Sequence, residues 1–378
     1  MPTSKSLTIG TGFFAFSLIG IAQALFGPSL PAFERDFELR AGAAGLILSA
    51  HWVGAFIGVS GMALRLPAYV LRWRPATGIA SIVVGTSAIS STSSWEVALL
   101  GAAFNGCGYG LLTVGFNGFA AASFGDRSPI VLNLLNAVFG VGAIGAPLLL
   151  VWFSGRPDAA FFAIFLIALA ILPFALMSDD RGPGVSDRGE DLSVLFRRYR
   201  WILFLMALGV GIEISAVGWG ATVLVAQGVS EAEAAVYTSL FYVAFTCMRL
   251  AAVGISLFVR PGQLVCVGLL VVGICLFLTF DERAAPYAFV LSGAAISLIF
   301  PNMFAWLARP MVASPRLSSL LVGMGMCGGI AIPAIAGTAI SFGGEPSAFL
   351  FLGMLAFLGA GLAALMIRAH GPEISERR

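Results

Sequence analysis

The chain has 378 residues, 59% of them hydrophobic and 11% charged, with a formal net charge of +2. Soluble domains carry about 25% charged residues, so this chain has too little polar surface to coat a water-soluble globule, and bilayer spans of about 20 apolar residues are the expected units. Lys5 is the only lysine and no basic patch alternates with aromatics, which excludes a nucleic-acid partner.

The N-terminal residues, Met1 to Thr8, are short and polar. The first apolar stretch lacks an A-x-A-like cleavage site and reads as a retained span. Twelve apolar segments follow one another: 8–33, 43–63, 76–92, 96–122, 130–153 and 159–177, then 201–226, 234–259, 264–280, 286–307, 317–342 and 347–367. The long polar break between them, 178–200, opens with Asp179, Asp180, Arg181, Gly182, Pro183 and Gly184. It then places Leu192, Leu195, Phe196 and Tyr199 at helical spacing opposite Arg197, Arg198 and Arg200. That pattern predicts a short amphipathic helix on the membrane surface. The expected organisation is an all-α membrane protein of twelve transmembrane helices. Residues 1–177 form an N-terminal six-helix bundle, 178–200 a cytoplasmic linker and 201–378 a C-terminal six-helix bundle.

With the N-terminus placed in the cytoplasm, sixteen of the 21 basic residues lie on the cytoplasmic side, among them Lys5, Arg65, Arg72, Arg181, Arg188, Arg377 and Arg378. Four lie outside: Arg35, Arg40, Arg156 and Arg283. This positive-inside bias predicts twelve spans with both termini cytoplasmic.

The two halves repeat. Gly140-x-Gly142-x-x-Gly145 recurs as Gly323-x-Gly325-x-x-Gly328, followed by Pro147 and Pro333. A nucleotide fingerprint of this form needs a preceding strand and a downstream acid, and neither is present. Close helix contacts between moving elements are expected instead. At an offset of 190, Ser49-Ala50-His51-Trp52 pairs with Ser239-Leu240-Phe241-Tyr242, and Gln23 pairs with Glu213. Two such halves with a solute held between them at mid-membrane is a common transporter plan.

Glu213 is the only carboxylate placed deep in a span, about 18 Å in at 1.5 Å per residue. A central charge costs at least about 3 kcal/mol on insertion scales, so the expected role is solute ligand or proton carrier, against a structural hydrogen bond. Arg249, in the inner third of segment eight, reads first as a gating or packing cation that snorkels to the interface; reception of an anionic solute group is its rival. Gln23, Asn105, Thr113, Asn117, Asn133, Asn136 and Asn302 are amides and a hydroxyl inside spans. They suit sugar hydroxyls, the preferred reading for Gln23 and Asn105, while Asn117, Asn133, Asn136 and Asn302 equally serve as interhelical glue. His51, Trp52, Trp219 and Tyr242 offer rings that stack on a solute or merely pack. Cys107, Cys247, Cys266, Cys275 and Cys327 all fall in apolar stretches as small packing residues. With only two histidines, His51 and His370, no histidine-rich metal site is expected, and neither is a cofactor.

Several ordered pieces carry a family resemblance. They are 25–33 with 44–49, Asn117-Gly118-Phe119, Leu132-Asn133-Leu134 with Phe139-Gly140, Gly211-Ile212-Glu213, Arg249, Phe300-Pro301-Asn302-Met303-Phe304, and Gly328-Gly329-Ile330 with Pro333. Together they resemble the major facilitator superfamily, and within it the fucose–proton symporter and sodium-dependent glucose transporter group. The resemblance implies two pseudo-symmetric six-helix bundles and a secondary active transporter working by alternating access on a sugar or sugar-like solute. The residues themselves point to a substrate site drawn from Gln23, His51, Asn105, Thr113, Asn117, Asn136, Glu213, Trp219 and Asn302, with Glu213 and Arg249 in coupling or gating. The implied partners are the solute, a proton or sodium ion, and the lipid of a plasma membrane, here a bacterial inner membrane; the implied state is monomeric. Where the symporter's acids in segments one and four align, this chain has Gly27 and Thr113, and Gly61 is followed by Arg65, Arg72 and Arg74 without an acid. Proton coupling through a carboxylate then falls to Glu213. The rival readings are efflux of a small amphipathic compound and a membrane sensor that binds solute without moving it. No metal-ligand motif, nucleophile elbow or P-loop supports an enzyme.

Overall fold

The computed structural model describes residues 5–63, 73–179, 191–313 and 315–369. Expectations that rest on Arg65, Arg72, Arg181, Arg188, Arg377 and Arg378, and on the opening of the 178–200 linker, lie outside the described residues. Among the described residues every regular element is a helix, and eleven helices are long and apolar enough to cross a membrane. Helices are the only open-chain solution in lipid, because each backbone N–H and C=O must be paired within its own segment.

In the first half, α1 (Lys5–Ala24) and α2 (Phe26–Asp36) make one span. They are followed by α3 (Leu46–Ala63), α4 (Arg74–Ser91), α5 (Trp95–Ser123), α6 (Ser128–Trp152) and α7 (Pro157–Leu176). In the second half, α8 (Leu192–Ala226), α9 (Glu231–Ile255) and α10 (Pro261–Leu278) precede α11 (Ala285–Ile296), which with α12 (Ile299–Trp306) makes one span. The short α13 (Ala308–Ala313) leads to α14 (Pro315–Gly343) and α15 (Pro346–Ala369). The twelfth expected segment is α4, which is too polar to count among the eleven: it holds Arg74, Thr77, Ser81, Thr86, Ser87, Ser90 and Ser91. Thr77, Thr86, Ser90 and Ser91 donate back to carbonyls of their own helix, so their hydroxyls are satisfied where α4 packs between α5 and α7.

Two spans read as continuous are broken, each at a proline. Pro28 cannot donate to the carbonyl of Ala24 and its ring crowds that carbonyl, which places the break between α1 and α2 at Leu25. Pro301 does the same to Ser297, between α11 and α12. Helix starts follow capping chemistry. Ser230 and Glu233 form a capping box on α9, Ser94 accepts from the Val97 N–H on α5, and Pro75, Pro157, Pro261 and Pro286 occupy first-turn positions.

The amphipathic stretch of the linker is not a separate surface helix. Residues 192–200 are the first turns of the 35-residue α8, because nothing between Tyr199 and Trp201 interrupts helical hydrogen bonding. Asp191 caps it by accepting from the Ser193 N–H at 2.9 Å.

The halves repeat in packing as well as in sequence. The neighbours α1–α6, α3–α5 and α4–α7 of the first half match α8–α14, α9–α11 and α10–α15 of the second. Between halves, α3 packs on α14 and α9 on α6. Each of these two seams carries the same hydrogen bond. Ser49 Oγ donates to the Ile330 carbonyl at 2.7 Å, and Ser239 Oγ donates to the Ile144 carbonyl at 2.7 Å. Ser49 and Ser239 are the pair matched at offset 190.

The expectation that all six repeated glycines line contacts between moving elements is corrected. Added side chains at Gly142 and Gly328 would strike the backbone of Ser17 and Ala207, both within a half. Gly325 faces Val210, also within its half. Gly140 alone meets the other half, at Thr246, while Gly145 and Gly323 face open space.

Candidate functional site between the halves

At the end of the bundle opposite the described chain ends, the two halves are closed on each other. Arg35 pairs with Glu231 at 2.6 Å, and Ser341 Oγ donates to the Ala41 carbonyl at 2.8 Å. Gly42, in the left-handed region at φ 83°, meets the backbone of Gly337, and Gly27 lies against the backbone of Val217 and Gly218. Glycine is required at these crossings, since a Cβ at either would collide with backbone.

Beneath this closure lies a cavity of about 20 Å³, room for about one water. The first half lines it with Gln23, Phe26, Gly27, Leu48, His51 and Trp52. The second half supplies Ile214, Val217, Gly218 and Tyr242. Aromatic rings crowd its wall. His51 stands 5.3 Å from Phe26 and 5.7 Å from Tyr109, and Trp52 is 5.8 Å from Tyr109 by ring centroids. Phe139 continues the group at 6.4 Å from Tyr109.

Among these rings is an unusual density of buried polar atoms without a well-formed hydrogen bond: Gln23 Oε1, both nitrogens of His51, both side-chain polar atoms of Asn105, Thr113 Oγ1 and Asn117 Oδ1, with His51 nearing only the Ala102 backbone and Thr113 only the Tyr109 hydroxyl. Asn105, Tyr109, Thr113 and Asn117 recur every fourth residue along α5, so they form one slowly winding stripe. An unpartnered buried polar group costs about 1–3 kcal/mol, and a stripe of them is not how a purely structural helix is built.

Glu213, one residue before the cavity-lining Ile214, is in electrostatic range of Arg249 and of the Tyr109 and Tyr242 hydroxyls. Arg249 lies two turns along α9 from Tyr242. Its guanidinium carbon sits 4.5 Å over the Phe245 ring, and its buried Nε has no partner.

Of the residues expected at the site, Gln23 and His51 line the cavity. Glu213, Arg249 and Thr113 surround the lining through Tyr109 and Tyr242, and Asn105 and Asn117 continue the α5 stripe. Three lie elsewhere. Trp219 is fully buried, cradles Gly45 and Gly337, and donates from Nε1 to the Pro333 carbonyl at 3.2 Å, a packing role. Asn302 donates to the Leu298 carbonyl of the broken tenth span at 2.7 Å. Asn136 is exposed and donates to Leu132 on its own helix. Tyr109 was not expected. Its signal was Gly108-Tyr109-Gly110, where small neighbours let α5 approach α3 and α4 closely.

The sequence pattern of the major facilitator superfamily matches residues 12–309. The chain is 22% identical over 374 residues to the sodium-dependent glucose transporter 1A of Mus musculus, covering 85% of this chain and 87% of the relative. Solved structures of similar fold include the nucleoside transporter NupG (14% identity, TM-score 0.73, 97% of this chain and 100% of that one) and the E. coli fucose:proton symporter FucP (19%, 0.63, 96% and 99%). A D-xylose-proton symporter is similar as well (12%, 0.75, 94% and 96%). With its paired half-bundles and central cavity, the chain is a membrane-spanning member of the major facilitator superfamily of transporters.

Proposed function

We propose that this transporter moves a small polar solute, a sugar or sugar-like compound, by alternating access, with proton coupling through Glu213. One observation carries the reading: the cavity between the halves sets aromatic faces beside imidazole and amide groups that lack a well-formed hydrogen bond. Aromatic faces suit the apolar face of a sugar ring, and groups that both donate and accept suit its hydroxyls. The sugar and sugar-like class is further supported by what the glucose, fucose and xylose relatives are named for. The closure opposite the described chain ends, over a cavity with room for about one water, fits one state of a two-state cycle, because a sugar enters only when the halves part.

The orientation follows the charge pattern, which supports both termini on the cytoplasmic side of a bacterial inner membrane; we further take 1–177 and 201–378 as bundles joined by 178–200, acting as a monomer. The test is uptake of labelled glucose, fucose and xylose into proteoliposomes under a proton gradient, a sodium gradient or neither. Accumulation driven by the proton gradient supports the proposal; accumulation only with sodium assigns the other ion. Efflux of an amphipathic compound is the second reading, favoured by the apolar share of the lining from Phe26, Leu48, Ile214 and Val217; binding of such compounds without sugar uptake would establish it.

A further inference from the structure

Arg249 stands out among the charged groups near the cavity. Its guanidinium carbon lies 4.5 Å from the centroid of the Phe245 ring, and its Nε is buried without a partner. Arg249 is half-buried, a buried nitrogen of a cation without a partner is costly, and a planar guanidinium is built to take a carboxylate with two parallel hydrogen bonds. Glu213 feels its charge but does not pair with it directly. The groups facing Glu213 are Arg249 and Tyr242 from α9 and Tyr109 from α5. Arg249 is the one cation in this set.

We propose that Arg249 is an anion subsite and that the solute is an acidic sugar bearing one carboxylate, carried together with one proton on Glu213. This rests on the sugar-transport reading above and narrows it. In the empty site, an ionised Glu213 and Arg249, each within electrostatic range of the other, balance in charge. When a monoanionic solute docks on Arg249, the site would hold two negative charges and one positive charge in a medium of low dielectric, where the excess charge is costly. A proton taken from bulk water by the Glu213 carboxylate restores balance. On release to the other side the solute anion leaves Arg249 and the proton leaves Glu213, so each cycle moves one anion and one proton and no net charge. A single guanidinium matches one negative charge, which favours a carboxylate over a doubly charged phosphate ester. The flanking rings of Phe26, Trp52 and Tyr109 would take the sugar ring.

The test is uptake into proteoliposomes of three matched probes: glucuronate, glucose and glucose 6-phosphate. The expected result is glucuronate uptake that is driven by a proton gradient and insensitive to membrane potential. Arg249→Gln should raise the KM for glucuronate about tenfold to a hundredfold, the worth of hydrogen bonds to a charged group, and Arg249→Lys should restore part of it. Because Arg249→Gln removes a buried charge, thermal unfolding and binding of glucose to the same protein report whether the variant is folded. Uptake of glucose but not glucuronate overturns the anion subsite and leaves sugar transport standing. Preference for glucose 6-phosphate overturns the assignment to a carboxylate. Uptake of none of the three, with vesicles shown to contain folded protein, overturns both readings.

Discussion

The two halves share a scaffold and differ in chemistry. Ser49 and Ser239 occupy equivalent positions and make the same 2.7 Å bond across equivalent seams. Two residues further on, His51 is matched by Phe241, and in the facing helices Gln23 is matched by Glu213. The first half therefore presents uncharged groups that both donate and accept, and the second half holds the ionisable pair Glu213 and Arg249. The repeat preserves the packing seams, while the neutral polar groups and the ionisable groups are divided between the halves.

If the scaffold is symmetric, glycines with equivalent contacts should respond alike, and Gly142 meets Ser17 as Gly328 meets Ala207, the counterpart of Ser17 at offset 190. Gly142→Leu and Gly328→Leu, each driven into backbone of its own half, should lower stability by about 3 kcal/mol or more. Gly145→Ala and Gly323→Ala, which face open space, should leave it within about 0.5 kcal/mol. Thermal unfolding in detergent compares all four; a harmless Gly142→Leu would break the account of the glycines.

The seam bonds come next. Ser49→Ala and Ser239→Ala should each weaken the closed state by about 1 kcal/mol. The effects should match within a few tenths, read as the rate at which a thiol reagent reaches a cysteine placed at the cavity-lining Val217. Unequal effects would show that the seams do not act as a pair.

His51→Phe copies the second half's Phe241 into the first half and removes two nitrogens that lack a well-formed hydrogen bond. It should raise stability by about 1 kcal/mol while lowering sugar affinity about tenfold. Unchanged affinity would remove His51 from the site. The smallest effect belongs to Arg35→Ala. The Arg35–Glu231 pair is more than half exposed at Arg35, and such pairs contribute about 0–1 kcal/mol, so transport should slow or quicken less than fivefold.

Much of the fold was legible because lipid leaves so few options: apolar runs must be helices, and the polar break at 178–200 and the glycine repeat both divide the chain in two. The breaks at Leu25 and Ser297 were readable from Pro28 and Pro301, yet hydropathy averages over them. The site was legible where burial is costly. Gln23, His51 and Glu213 stood out as polar groups in apolar runs, and all three lie at or beside the cavity. Trp219 and Asn302 met the same criterion but satisfy themselves, one on the Pro333 carbonyl and the other on Leu298. A residue list cannot show which polar atoms find partners. The same limit hid the differing roles of the six glycines, which depend on what faces each one.

The central claim is that the second half's carboxylate couples solute movement to protons, and Glu213→Gln tests it most directly. Proteoliposomes loaded with a pH-sensitive dye would report proton entry while labelled solute flows down its own gradient. The account predicts proton entry in step with solute for the native protein. In the variant, proton entry is lost while solute exchange continues, because glutamine keeps the shape and hydrogen bonding of the side chain without the titratable group. Proton entry that persists undiminished in Glu213→Gln would contradict it.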